Sequence, residues 1–155
     1  METDEGNKIL KGWLSKGRKC VILWCRDHFC GYVETKTPVS YSTGIFGEYT
    51  CSPCSLIDAH GGLTFGADTL STTPFEKNIK YFGMDFAHSG DWCKGMHASF
   101  NERAHKWTIE EVEKETEKML DSILKFEKIY PKFKTLADKQ KLERDKLLKK
   151  LGVKE

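Results

Sequence analysis

The sequence predicts an α+β fold: a small antiparallel sheet covered by a long amphipathic helix, with a Lys-rich helix at the C-terminal end. Three observations lead there. Two β-prone runs stand either side of a short turn, Lys19-Cys20-Val21-Ile22-Leu23-Trp24 and His28-Phe29-Cys30-Gly31-Tyr32-Val33-Glu34, which is the pattern of a hairpin. Ile79-Lys80-Tyr81-Phe82-Gly83-Met84-Asp85-Phe86 alternates in part, as a strand with one covered face does. From Thr108 on, apolar residues recur at steps of three and four, the spacing of one helical stripe.

The elements follow in order. Residues 1–7 are expected to fray, and the hairpin comes next. Residues 35–55 are rich in Thr, Ser, Pro, Gly and Tyr and are expected to form a long loop. Leu56-Ile57-Asp58-Ala59 is expected as a strand running into His60-Gly61-Gly62, with Leu63-Thr64-Phe65 continuing it. Residues 66–78 and 87–106 read as loops around the strand at 79–86. Thr108-Ile109-Glu110-Glu111 is a capping box, in which the Thr hydroxyl accepts from the Glu111 amide and Glu111 reaches back. Ile109, Val112, Thr116, Met119, Ile123, Phe126 and Tyr130 form the stripe, which is expected to cover the sheet and not to serve as an oligomer seam. Pro131 is expected to end this helix. Thr135-Leu136-Ala137-Asp138 is then expected to cap a second helix that stops at Gly152. The domain reading is one α+β domain over 1–130 and a helical extension over 131–155.

The 155 residues carry a net charge of only +2. That balance disfavours nucleic acid as the partner. The charge is uneven: residues 108–130 carry four Lys against seven Asp and Glu, and residues 131–155 carry nine Lys and Arg against four. The Lys-rich segment is expected to be a solvated helix face. No apolar run approaches the roughly 20 residues that span a bilayer, and no export signal follows the acidic start Met1-Glu2-Thr3-Asp4-Glu5. A cytoplasmic protein without a membrane partner is the expectation, with its six cysteines reduced and mostly acting as small hydrophobes. The sequence leaves homo-oligomer formation open.

Two segments carry chemistry. In His60-Gly61-Gly62 the glycines allow positive φ and close approach, with amides directed at an anion, and the imidazole donates to phosphate or acts as acid or base. In Asp85-Phe86-Ala87-His88-Ser89-Gly90-Asp91 two carboxylates and an imidazole recur at three-residue steps just after a strand. Such a set holds a divalent metal, activates water or grips a ribose. The bland alternatives are a glycine turn beside a hydrogen-bonded His and a loop whose Asp residues cap amides. Thr64 and Trp92 complete the expected ligand-binding set of His60, Gly61, Gly62, Thr64, Asp85, His88, Asp91 and Trp92. Cys51, Cys54, Cys93 and His97 offer an alternative zinc site, although no cofactor is favoured. Of the aromatics Tyr32, Tyr41, Phe46, Tyr49, Phe65, Tyr81, Phe86 and Trp92, most are expected in the core, while those of the 35–55 loop are candidates to stack on a planar base.

Taken together, Cys30-Gly31-Tyr32-Val33, Asp58-Ala59-His60-Gly61-Gly62-Leu63-Thr64-Phe65, Tyr81-Phe82-Gly83-Met84-Asp85-Phe86-Ala87-His88-Ser89-Gly90-Asp91 and Trp107-Thr108-Ile109-Glu110-Glu111-Val112 resemble a family of small bacteriophage proteins of poorly characterised function, over about residues 29–123. The resemblance implies a phage accessory protein, a class that often counters host defence, working in the host cytoplasm. Joined to the site chemistry, it gives the leading expectation: a protein that binds and sequesters a small nucleotide-derived signal, cyclic or ADP-ribose-like. The alternatives are a hydrolase cleaving such a nucleotide with His60, Asp85, His88 and Asp91, with or without a metal, and a protein inhibitor docking a host partner through the Lys-rich helix.

Overall fold

The computed structural model describes residues 7–37, 53–69 and 78–153. Five strands, β1 Asn7–Ser15, β2 Arg18–Cys25, β3 His28–Glu34, β4 Phe65–Thr69 and β5 Lys80–Asp85, form one antiparallel sheet in the order β1-β2-β3-β5-β4. A short helix, α1 Ala98–Asn101, and a long one, α2 Ile109–Lys150, follow. This is the α+β architecture the sequence predicts.

The β2–β3 hairpin turns at Arg26, whose φ of 62° is left-handed. It pairs Cys25 with His28 and Cys20 with Val33. One face of the sheet meets α2: Cys20, Ile22, Val33, Phe82, Met84 and Phe86 bury against Val112, Met119, Leu120, Ile123 and Phe126. The helix comes close enough to β3 that a Cβ on Gly31 would stand 2.7 Å from Thr116 Oγ1. Only a glycine there admits that contact. The other face buries Val21, Leu23, Cys30 and Tyr81.

The expected capping box is present: Thr108 Oγ1 accepts from Glu111 N and the Glu111 side chain accepts from Thr108 N. The stripe faces the sheet as expected from Val112 through Phe126. Ile109 does not join it and stays 36% exposed, because the first turn of a helix lies at the margin of the face it covers.

Several local expectations are corrected. The chain forms one helix through Pro131, not two. Six turns are already fixed on the sheet before that proline, and strong helix formers follow it, so the lost amide and the crowding at the Glu127 carbonyl do not stop propagation. Thr135 is therefore no cap; its hydroxyl donates to the Pro131 carbonyl at 2.9 Å. The helix ends at Leu151 with Gly152 at φ 71°, the expected stop. The strand expected over Leu56-Ile57-Asp58-Ala59 is absent: Leu56 closes a 3-10 turn over Pro53–Leu56, irregular chain follows, and of the expected continuation only Phe65 is in a strand, as the first residue of β4. The expected loop at 66–78 contains most of β4, and the expected loop at 87–106 contains α1.

β1 has no counterpart among the predicted strands, because polar and apolar residues do not alternate cleanly in Asn7-Lys8-Ile9-Leu10-Lys11-Gly12-Trp13-Leu14-Ser15. A bulge between Ile9 and Lys11 breaks the alternation. Its helix-facing residues are held by charge and hydrogen bonds instead of apolar contact alone. Lys11 pairs with Glu113, Trp13 Nε1 and Ser15 Oγ donate to Glu117, and Lys16 in the turn pairs with Asp121. Arg18 continues the row by a two-pronged pair with Glu127, whose carboxylate also accepts from Lys36 N at 2.7 Å and Thr35 Oγ1 at 3.2 Å.

Candidate functional site

Asp91 is the hub of the site. Its side chain is 5% exposed. His60 Nε2 lies 2.9 and 2.8 Å from its two carboxylate oxygens. Trp107 Nε1 donates to Oδ1 at 2.9 Å. The His88 amide donates to Oδ2 at 2.9 Å, and His88 Nδ1 stands 3.1 Å from the same oxygen. The tight turn that closes with Asp91 N on the His88 carbonyl makes this reach possible. Burial pushes the Asp91 carboxyl up, but hydrogen bonds from His60, the His88 amide and Trp107 outweigh it and hold the group below its ordinary value of 3.8.

The fourth expected residue joins through His88, whose Nε2 lies 3.4 Å from Asp85 Oδ1. That carboxylate also accepts from the Ala87 amide at 3.3 Å. His60, Asp85, His88 and Asp91 thus form one connected cluster, with His60 and His88 22% and 32% exposed at the side chain. The sheet brings the two segments together: Phe86 directly follows β5, and His60 stacks on it at 4.5 Å with rings 6° from parallel. The Trp107 ring packs edge-on against both, 4.8 Å from each. A cleft of about 460 Å³ opens beside His60 towards α2, lined by Asp58, Lys118, Ser122 and Lys125 among others.

The glycines act differently from the sequence expectation. Gly61 and Gly62 do take positive φ, 67° and 89°. The Gly62 amide, however, donates to the Ala59 carbonyl at 2.9 Å, so the turn itself uses it and it is not directed at an anion. Gly61 lies flat against the His88 ring, where a Cβ would meet imidazole atoms at 2.2 to 2.6 Å. Gly61→Ala is expected to displace His88 and cost about 1–3 kcal/mol, the range for a strained backbone position. A thermal melt unchanged from the parent would contradict that placement of the ring.

Thr64 belongs to the ladder, its amide donating to the Gly83 carbonyl at 2.9 Å. Trp92 stands apart in a shallow hollow of about 630 Å³ with Met96, Ser99 and Asn101, and Lys106 Nζ sits 4.6 Å over its ring. Of the alternative zinc set, Cys51 and the Cys54 side chain lie outside the described residues, as do Tyr41, Phe46 and Tyr49. Cys93 turns its sulfur inward towards the carbonyls of Phe86 and Asp91. Burial pushes its thiol pKa up, away from the thiolate a metal needs. His97 is an exposed cap on α1, accepting from Ser99 N. Cys20, Cys25 and Cys30 are free thiols, and burial pushes that of Cys20 to about 12.

Two residues of the cluster escape a reading by residue type. Trp107 carries no site signal, yet it immediately precedes the capping Thr108, and an apolar residue at that position folds back onto its helix. Phe86 reads only as core. Among the described residues, His60, His88 and Asp91 offer ligand atoms within 4.8 Å of one another, and such a group can hold a metal ion. No described helix is long and apolar enough to cross a membrane. Comparison with family models, curated proteins and solved structures gives no match for this chain.

Proposed function

We propose that the protein is a hydrolase acting on a small nucleotide-derived phosphate ester, with His60, His88 and Asp91 as its centre and Asp85 behind His88. One observation carries this reading: a single buried carboxylate anchors two partly exposed imidazoles side by side, ring centres 5.3 Å apart. An imidazole fixed by a carboxylate is oriented for proton transfer. The geometry favours hydrolysis over sequestration because two expected recognition groups are already engaged. Asp91 already accepts from His60, Trp107 and His88, and the Gly62 amide closes a turn.

The substrate class rests on the low net charge, which suits a small anion better than a long polyanion, and on the motif set that resembles phage accessory proteins. A host-made cyclic or ADP-ribose-type signal is the substrate such a protein would destroy. The test is incubation with a panel of these nucleotides, followed by mass analysis. A changed mass supports the reading. His60→Ala and His88→Ala are then expected to lower turnover by roughly 10²–10⁴-fold, the usual contribution of an acid–base group, with circular dichroism unchanged. Ligand recovered intact at one per chain would replace hydrolysis by sequestration. No binding and no turnover across the panel would remove the nucleotide class.

A further inference from the structure

We infer that His60 Nε2, His88 Nδ1 and a carboxylate oxygen of Asp91 are the inner ligands of a divalent first-row metal ion of the zinc class, and that Asp85 is the outer carboxylate that orients His88. What the ion does rests on the hydrolytic reading above, with the two imidazoles then serving as ligands and no longer as the acid–base pair; its being held rests on the cluster alone. The three ligand atoms lie within 4.8 Å of one another, with nitrogen-to-oxygen spacings of 2.8 and 3.1 Å. Tetrahedral ligands at the usual zinc distances stand roughly 3.3 Å apart, so small side-chain shifts suffice.

The surroundings are those of a ligand shell. A metal-bound imidazole generally gives its second nitrogen to a carboxylate, which fixes its tautomer and plane. Asp85 stands 3.4 Å from His88 Nε2 in that role, and Gly61 pins the same ring from its face. Ligating carboxylates are themselves hydrogen-bonded; here Trp107 Nε1 holds Asp91 Oδ1 and the His88 amide holds Oδ2, each at 2.9 Å. Two imidazoles and one carboxylate leave a coordination position for water or substrate, the pattern of a catalytic and not a structural site. Charge points the same way. Asp85 and Asp91 bring two carboxylates to the place where a phosphate would sit. A divalent ion cancels that charge and lowers the pKa of its water towards neutrality.

The experiment uses the full chain, stripped with a chelator and titrated with zinc, and in parallel with cobalt for its visible spectrum. One ion per chain, a raised melting temperature and a cobalt spectrum typical of four or five ligands are expected. His60→Gln and His88→Gln should abolish stoichiometric uptake. Asp85→Asn should weaken it about 10–100-fold, the usual effect of losing an outer partner, while Cys93→Ser should leave it unchanged. Absence of uptake of zinc and cobalt at micromolar concentrations overturns the inference, as does uptake that His60→Gln leaves intact. Stoichiometric zinc lost in His60→Gln, without turnover of any nucleotide by the loaded protein, would keep the metal site and reject the hydrolase.

Discussion

Asp91→Ala is expected to lower stability by about 3 kcal/mol and to abolish the chemistry of the site. The carboxylate is the common acceptor for His60, Trp107 Nε1, His88 N and His88 Nδ1. Removing it leaves buried donors without partners, each costing about 1–3 kcal/mol, more where the lost partner is charged. It also frees two imidazoles from their common anchor. Asp91→Asn separates the two effects: the amide keeps the volume and one acceptor, so it should retain much of the stability while the imidazole pair loses its anionic support. Urea unfolding and turnover measured on both variants check this. An Asp91→Ala protein as stable as the parent would show that the hub is not structural.

The second large effect is expected where helix and sheet are locked together, at Arg18 and Glu127. Their side chains are 11% and 16% exposed, and breaking a buried pair by removing one partner costs about 3–5 kcal/mol, because the other charge is left behind. Glu127→Ala should therefore cost about 3 kcal/mol, also stripping the Lys36 amide of its acceptor, while the Thr35 hydroxyl keeps Thr37 Oγ1 at 2.8 Å. The pair also sets a pH dependence. Burial pushes the Glu127 carboxyl up, but Arg18 and the Lys36 amide outweigh it and hold its pKa below the ordinary 4.5. A carboxyl whose folded pKa is depressed contributes fully above its unfolded value and loses that contribution as pH falls through the folded one. Asp91 has the same sign. Stability should hold near neutrality and fall below about pH 4.5, and Glu127→Gln should flatten that fall. An acid limb of equal steepness in Glu127→Gln would assign it to other carboxyls.

The strands at β2, β3 and β5 and the start of α2 were legible because the signals there are local. A hairpin pattern, an apolar run and a capping box each act within a few residues. Pro131 misled because a breaker rule weighs the residue against its neighbours, whereas a helix already seated on Phe82, Met84 and the rest of the sheet face propagates past it. β1 was invisible for the complementary reason: Lys11, Ser15 and Lys16 are polar residues whose partners, Glu113, Glu117 and Asp121, lie about a hundred positions away.

The site divides in the same way. Residue types and three-residue steps mark His60, Asp85, His88 and Asp91 as chemistry-bearing, because imidazoles and carboxylates close to glycines are informative wherever they fold. Which of them is the hub, and that Trp107 completes it, follows only from tertiary contact. Local sequence was enough for β2, β3, β5, the cap and the four candidate side chains, since each depends on neighbours along the chain. The tertiary structure decided the continuous helix, the charged seam to β1 and the convergence on Asp91, since each depends on partners that only packing brings within 3 Å or so.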